Sequence, residues 1–150
     1  MNEYYDTMIR LRAAFRGISK DDHSDWYNYN VQDSHVLLGW VPPEDAPGLG
    51  PDSPFICVSV LSSRSASIPV DQQTDEVSCA SECYGYIKCQ TDPMGKALKL
   101  LNDMMSAIFQ DEFLCSTVFN SSIEFDVATL GEFGVVILRI GWEMSLAKPA

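Results

Sequence analysis

Residues 92–109 constrain the fold more than any other stretch: an amphipathic helix with a marked start, followed by two strand-like runs at residues 123–127 and 133–144. Asp92 can accept hydrogen bonds from the first free amides. Pro93 fits the first helical position, where its missing N–H costs nothing, and a negative side chain suits the positive helix end. Met94, Leu98, Leu101, Met105 and Ile108 then recur at steps of four, three, four and three, with Ala97, Met104 and Phe109 widening the same face. Lys96, Lys99, Asn102, Asp103, Ser106 and Gln110 fall mostly on the opposite side. A helix of this kind needs a surface to lie on, and the neighbouring strands make that surface a sheet.

The chain has 150 residues, 46% of them hydrophobic, which is enough for one domain (residues 1–150) with a real core and gives no second composition regime. A formal net charge of −11 and a pI near 4.3 disfavour a nucleic-acid groove or an anionic membrane as partner, because phosphate binding draws on Lys and Arg. The N-terminus lacks the apolar core of a signal peptide, and no run approaches the roughly 18 uncharged apolar residues of a membrane span. The expectation is a protein made and assembled in a cytosol, with no membrane partner.

Five cysteines invite a metal or disulfide reading: Cys57, Cys79, Cys83, Cys89 and Cys115. Residues 77–89 argue against it. Val77, Cys79, Cys83, Ile87 and Cys89 fall on odd positions, and Ser78, Glu82, Tyr84, Tyr86 and Lys88 on even ones, which is strand alternation. Along a continuous strand, Cys79 and Cys83 stand about 13 Å apart, and Cys79 and Cys89 about 33 Å, too far for one zinc ion with sulfur bonds of about 2.3 Å. Free thiols acting as small hydrophobes are expected, with no metal and no cofactor.

Residues 2–18 read as a first helix with an apolar stripe of Tyr4, Met8, Leu11, Phe15 and Ile18, ended by Gly17 and the polar stretch after it. A long irregular region spans residues 21–54. Within it the apolar island 36–41 reads as an edge strand, stopped by Pro42 and Pro43. Residues 55–61 form a more central strand, residues 62–76 a polar connection, and the closing strands join near Gly131, leaving a short tail at 146–150. The expected fold is therefore α+β: a mainly antiparallel sheet of about four strands, two helices packed on one face, and long loops.

In element order and length the chain resembles the tail terminator, or tail completion, proteins of long-tailed bacteriophages. The matching elements are the first helix, the Pro-rich approach from Pro51 to the strand at Phe55, the polar loop and strand through Gln90, the Asp92-Pro93 helix and the closing strand through Val135 and Trp142. The resemblance implies a structural virion protein in the tail-neck region. It implies a ring, usually of six subunits, seated on the tail tube protein, ending its polymerisation and joined above to a head-completion or stopper protein, with a sheath contact where the tail is contractile. DNA would pass through the lumen without specific binding, and an acidic lumen would repel it rather than hold it. The alternatives are another head–tail junction component (a stopper, adaptor or tube protein), which predicts a barrel or helical bundle, and a small-ligand-binding α+β module, which requires a deep apolar pocket.

Candidate interface residues follow from residue type. Trp26, Tyr27, Tyr29 and Trp40 cluster in a polar loop, and Trp and Tyr dominate interface energetics; the competing reading folds them back over the sheet. Arg10, Arg12 and Arg16 lie largely off the first helix's stripe and, with Arg64, are suited to acidic surfaces of neighbouring subunits, or else simply solvated. Enzyme motifs fail on inspection. Gly95-Lys96 resembles the end of a phosphate-binding loop, but that pattern needs glycine where Gln90 stands and Ser or Thr where Ala97 stands. His23 and His35, the only histidines, belong to no nucleophile or metalloprotease motif. The pairs Asp21-Asp22, Glu44-Asp45 and Asp75-Glu76 read as solvated loop charge. The expectation is a protein without catalytic residues.

Overall fold

The longest ladder joins residues 76–88 to residues 133–145 in antiparallel register, Glu76 opposite Ser145 and Lys88 opposite Phe133. In the computed structural model, residues 3–46, 53–60, 76–118 and 122–145 are described. They form α1 (Glu3–Arg16), β1 (Val36–Leu38), β2 (Phe55–Val60), β3 (Glu76–Lys88), α2 (Pro93–Gln110), α3 (Glu112–Val118), β4 (Ser122–Leu130) and β5 (Phe133–Ser145). The sheet runs β1-β2-β3-β5-β4, five strands among the described residues, close to the expected four. It is mixed, since β1 lies parallel to β2 while every other pair is antiparallel. The architecture is α+β, as expected. Arg64, the connection 62–75, the tail 146–150 and the side chains of Tyr4 and Cys79 lie outside the described residues.

Local chemistry explains the element ends. Asp92 caps α2: it stands in the left-handed region at φ 52, a conformation Asp tolerates better than most residues, and its carboxylate accepts the N–H of Gly95 at 3.1 Å. Gly131, at φ 59, takes the first central position of the two-residue β4–β5 turn, where a tight hairpin calls for a residue free of Cβ. Asp111 opens α3, its carboxylate accepting the N–H of Leu114 at 3.0 Å. This third helix is absent from the sequence expectation, which ends its helical stretch at residue 109.

The helices share one face of the sheet. α1 covers β1 and β2, and α2 covers β3, β5 and β4. Met8, Leu11, Phe15 and Ile18 from the first helix and its end meet Ile56, Val58, Cys83, Ile87, Leu100, Met104, Ile108, Val136, Leu138 and Ile140 in the main core. The other face carries a second, smaller core of Phe55, Cys57, Tyr86 and Val135, roofed by Leu37, Val41 and Ala46 of the loop that the sequence marks as irregular. Tyr86, on an even position of the alternation, is therefore buried beneath that loop, and Glu82 on the same face is buried against Tyr84 and Arg139.

The seating of α2 departs from the sequence reading. Its buried face is Ala97, Leu100, Asp103, Met104, Ala107 and Ile108, whereas Met94, Leu98 and Phe109 are exposed. That is about a quarter turn from the stripe the periodicity selects, at roughly 100° per residue. The sheet supplies the reason. A Cβ on Gly134 would stand 2.5 Å from the Pro93 carbonyl oxygen and 3.0 Å from Ala97 Cβ. A Cβ on Gly85 would stand 2.8 Å from Met104 Sδ and 3.0 Å from Leu100 Cδ2. Two glycines on β3 and β5 thus open a trough, and the helix lays Pro93, Ala97, Leu100 and Met104 into it.

Candidate functional site

The side chains singled out from sequence divide sharply by exposure. Tyr27 and Tyr29 are 6% and 7% exposed and belong to the main core, so in this chain they serve its own packing instead of presenting to a partner. Trp26 and Trp40 are 42% and 58% exposed. Trp26 stacks on His23, with ring centroids 4.1 Å apart, and the two rings wall a groove of about 330 Å³ that also touches Ala13, Ala14, Ala107 and Gln110. Trp40 stands edge-on to Tyr84 of β3 beside the second core, and is the more exposed of the two.

The arginines of α1 work within the chain. Arg10 Nε donates to both carboxylate oxygens of Asp111, at 3.1 and 3.0 Å, while its guanidinium lies over the Phe113 ring, 4.8 Å from the centroid. The result ties α1 to the α2–α3 junction. Arg16 Nη2 donates to the Val36 carbonyl at 3.0 Å and ties α1 to β1. Arg12 is half-buried and forms no ion pair among the described residues.

The polar loop is held by a group that the sequence reading places on the wrong side. Asp103, 0% exposed, accepts the backbone N–H of Asn28 and Tyr29 and the side-chain amide of Asn28, at 2.8 to 3.0 Å. Burial pushes its carboxyl up from the ordinary value, and these hydrogen bonds pull against that rise. Nothing in the local period marks Asp103 as buried.

An apolar surface remains uncovered. Met94, Leu98 and Phe109 are exposed along α2, with Leu101 and Met105 of the same stripe half-buried against the main core. α2 also contacts β4, which is an edge of the sheet among the described residues. On the helix side of β4, Ile123 and Val127 pack against the core while Phe125 between them is 59% exposed. The opposite side of the same strand carries the exposed acids Glu124 and Asp126. Arg139 of β5 lies between strands here, donating to Glu82 at 2.9 Å and standing 3.6 Å from Asp126. The Glu82 hydrogen bond, then the charges of Glu82, Asp126 and Glu124, raise the affinity of Arg139 for its proton, against a desolvation that lowers it.

Among the described residues no group of three or more His, Cys, Asp or Glu is placed to hold a metal ion, and no helix is long and apolar enough to cross a membrane. No protein-family model matches the chain, and no curated protein matches it significantly.

Proposed function

We propose that the chain is a structural ring protein of a long-tailed phage virion, which ends tail-tube polymerisation and joins the tail to the head-completion proteins. One observation carries this reading: the β4 edge, on which no further strand pairs among the described residues and on which Phe125 is exposed, belongs to the strand that α2 contacts, and α2 exposes the stripe Met94, Leu98 and Phe109. A sheet edge is a row of unpaired N–H and C=O groups ready to accept another chain, and apolar patches of this kind mark protein contacts. Glu124 and Asp126 on the same strand disfavour pairing between two identical edges, since like charges would then be brought together. The edge is thus suited to a different surface, on a neighbouring copy or on a tube or neck protein, which is the head-to-tail contact that closes rings. The open sheet covered by helices also favours a terminator over the stopper, adaptor or tube alternatives, for which a barrel or helical bundle is expected.

On this reading the mechanism is geometric. One face of the ring complements the last tube ring, and no surface is left to receive another tube subunit. The test is sedimentation of the purified protein with and without tail tubes of its own phage, followed by electron microscopy. A ring, or label confined to the head-proximal tube end, is expected, and Leu98→Glu with Phe125→Asp should abolish it while leaving the circular dichroism unchanged. A strictly monomeric protein that binds neither tubes nor neck proteins would end the proposal.

A further inference from the structure

We infer that β4 takes a protein partner by strand addition, and that the strand it takes alternates basic with apolar side chains. This rests on β4 being the contact edge proposed above, but not on the contact closing a ring. β4 runs for nine residues, Ser122–Leu130, and pairs with β5 residue for residue along its whole length, with no bulge and no proline. Among the described residues no strand pairs with its other side. Antiparallel pairing uses the N–H and C=O of every second residue, so the other half of the backbone groups of β4 point outward. Edges protected from use are kept short, twisted away by a bulge or interrupted by proline, and this one is long and regular.

The two faces of the strand specify its partner separately. On the helix side Ile123 and Val127 pack on the core while Phe125 is 59% exposed, so a neighbour there meets an apolar surface. On the opposite side Glu124 and Asp126 are exposed. Arg139 is the cation beside them, but Glu82 holds it at 2.9 Å, and Asp126 stands 3.6 Å from it with its side chain still 68% exposed. Glu124 lies opposite Arg139 in the register and forms no ion pair among the described residues. Three carboxylates thus share one guanidinium, which leaves two negative charges uncompensated at the edge.

A strand laid along β4 sets its side chains beside those of β4 on each face. Lysine or arginine across from Glu124 and Asp126 supplies the missing charge, and apolar residues at the intervening positions cover Phe125. An acidic strand is repelled, so the two acids select a partner instead of closing the edge.

The probe is a fluorescein-labelled nine-residue peptide in which lysine alternates with valine and threonine, read by anisotropy on titration with the full chain. Binding of one peptide per chain is expected, with none for the counterpart that carries glutamate in place of lysine. Glu124→Gln with Asp126→Asn should weaken the lysine peptide by about threefold or more, and Glu124→Lys with Asp126→Lys should reverse the preference toward the glutamate peptide. Strand addition is tested apart from charge and on the parent chain, so that it does not depend on how the variants fold. Methylating the amide nitrogens of one alternate set of peptide residues or the other should abolish binding, because one edge of the peptide has to pair with β4. Gathering its lysines into one block should weaken it to the level of the charge variants. No binding, or full binding by both methylated peptides or by the block peptide, would overturn the inference, the latter two by showing diffuse attraction. A ring that forms while the peptide fails to bind strikes this inference alone and assigns the edge to a second copy. Peptide binding by a strictly monomeric chain supports it and strikes the ring.

Discussion

Asp103 holds Asn28 by three hydrogen bonds: the backbone N–H reaches both carboxylate oxygens, at 2.8 and 3.0 Å, and the side-chain amide reaches Oδ1 at 2.9 Å. This contact spans 75 residues and fixes the polar loop against α2. Through it the loop becomes the seat of Tyr27 and Tyr29 in the core.

Replacing Asp103 by Ala leaves the N–H groups of Asn28 and Tyr29 without their acceptor in a dry site. The expected loss is about 2 kcal/mol or more, the cost of stranding buried donors. Urea unfolding measures it, and hydrogen exchange should show the amides of Asn28 and Tyr29 losing protection before the strands do. An unchanged midpoint would mean that the loop is held by its ring contacts alone.

The pH dependence of the same group has a definite sign. Burial raises the Asp103 carboxyl above its ordinary value, so the folded chain keeps this proton to a higher pH than the unfolded chain does. Ionising it therefore costs folding stability. Compared with Asp103→Asn, which does not titrate, the parent chain should lose stability as pH rises from about 4 through the raised value and then level off. Denaturant titrations of both proteins across that window give the difference directly, and a rise instead of a fall would show that the hydrogen bonds from Asn28 and Tyr29 outweigh desolvation.

The glycine trough predicts an asymmetric response to a single methyl group. Gly134→Ala places a Cβ against the Pro93 carbonyl, a backbone atom that cannot swing aside, and Gly85→Ala places one against the flexible end of Met104. Overpacking of this kind costs about 1–3 kcal/mol, and Gly134→Ala should lie at the upper end with Gly85→Ala below it. Thermal melts of the two variants check the order.

Thiol chemistry should follow burial. Burial pushes Cys83 up to about 12 and Cys57 up to about 11, so neither forms appreciable thiolate near neutral pH, while Cys115 is only partly buried. In native protein near pH 8, alkylation mapped by mass spectrometry should mark Cys115 before Cys57 and Cys83, which should react only on unfolding. Early labelling of Cys83 would mean that β3 opens locally.

The start of α2 at Asp92-Pro93, the alternation of β3 and the turn at Gly131 were all legible in the chain, because capping, strand period and turn chemistry act between residues a few positions apart. The edge strand before Pro42 was legible for the same reason. The candidate surface was legible only in part. The stripe Met94, Leu98 and Phe109 was visible, but periodicity assigned it to the core, because α2 is apolar around more of its circumference than one contact needs. Which flank is buried was decided by Gly85 and Gly134, residues that stand beside α2 only once β3 and β5 have paired. Likewise Tyr27, Tyr29 and Asp103 were each read locally, as a loop aromatic or a polar helix position, and it is their meeting across the fold that buries all three. By itself the sequence determined where elements begin, end and turn; tertiary structure decided which faces meet, because burial depends on partners distant in the chain.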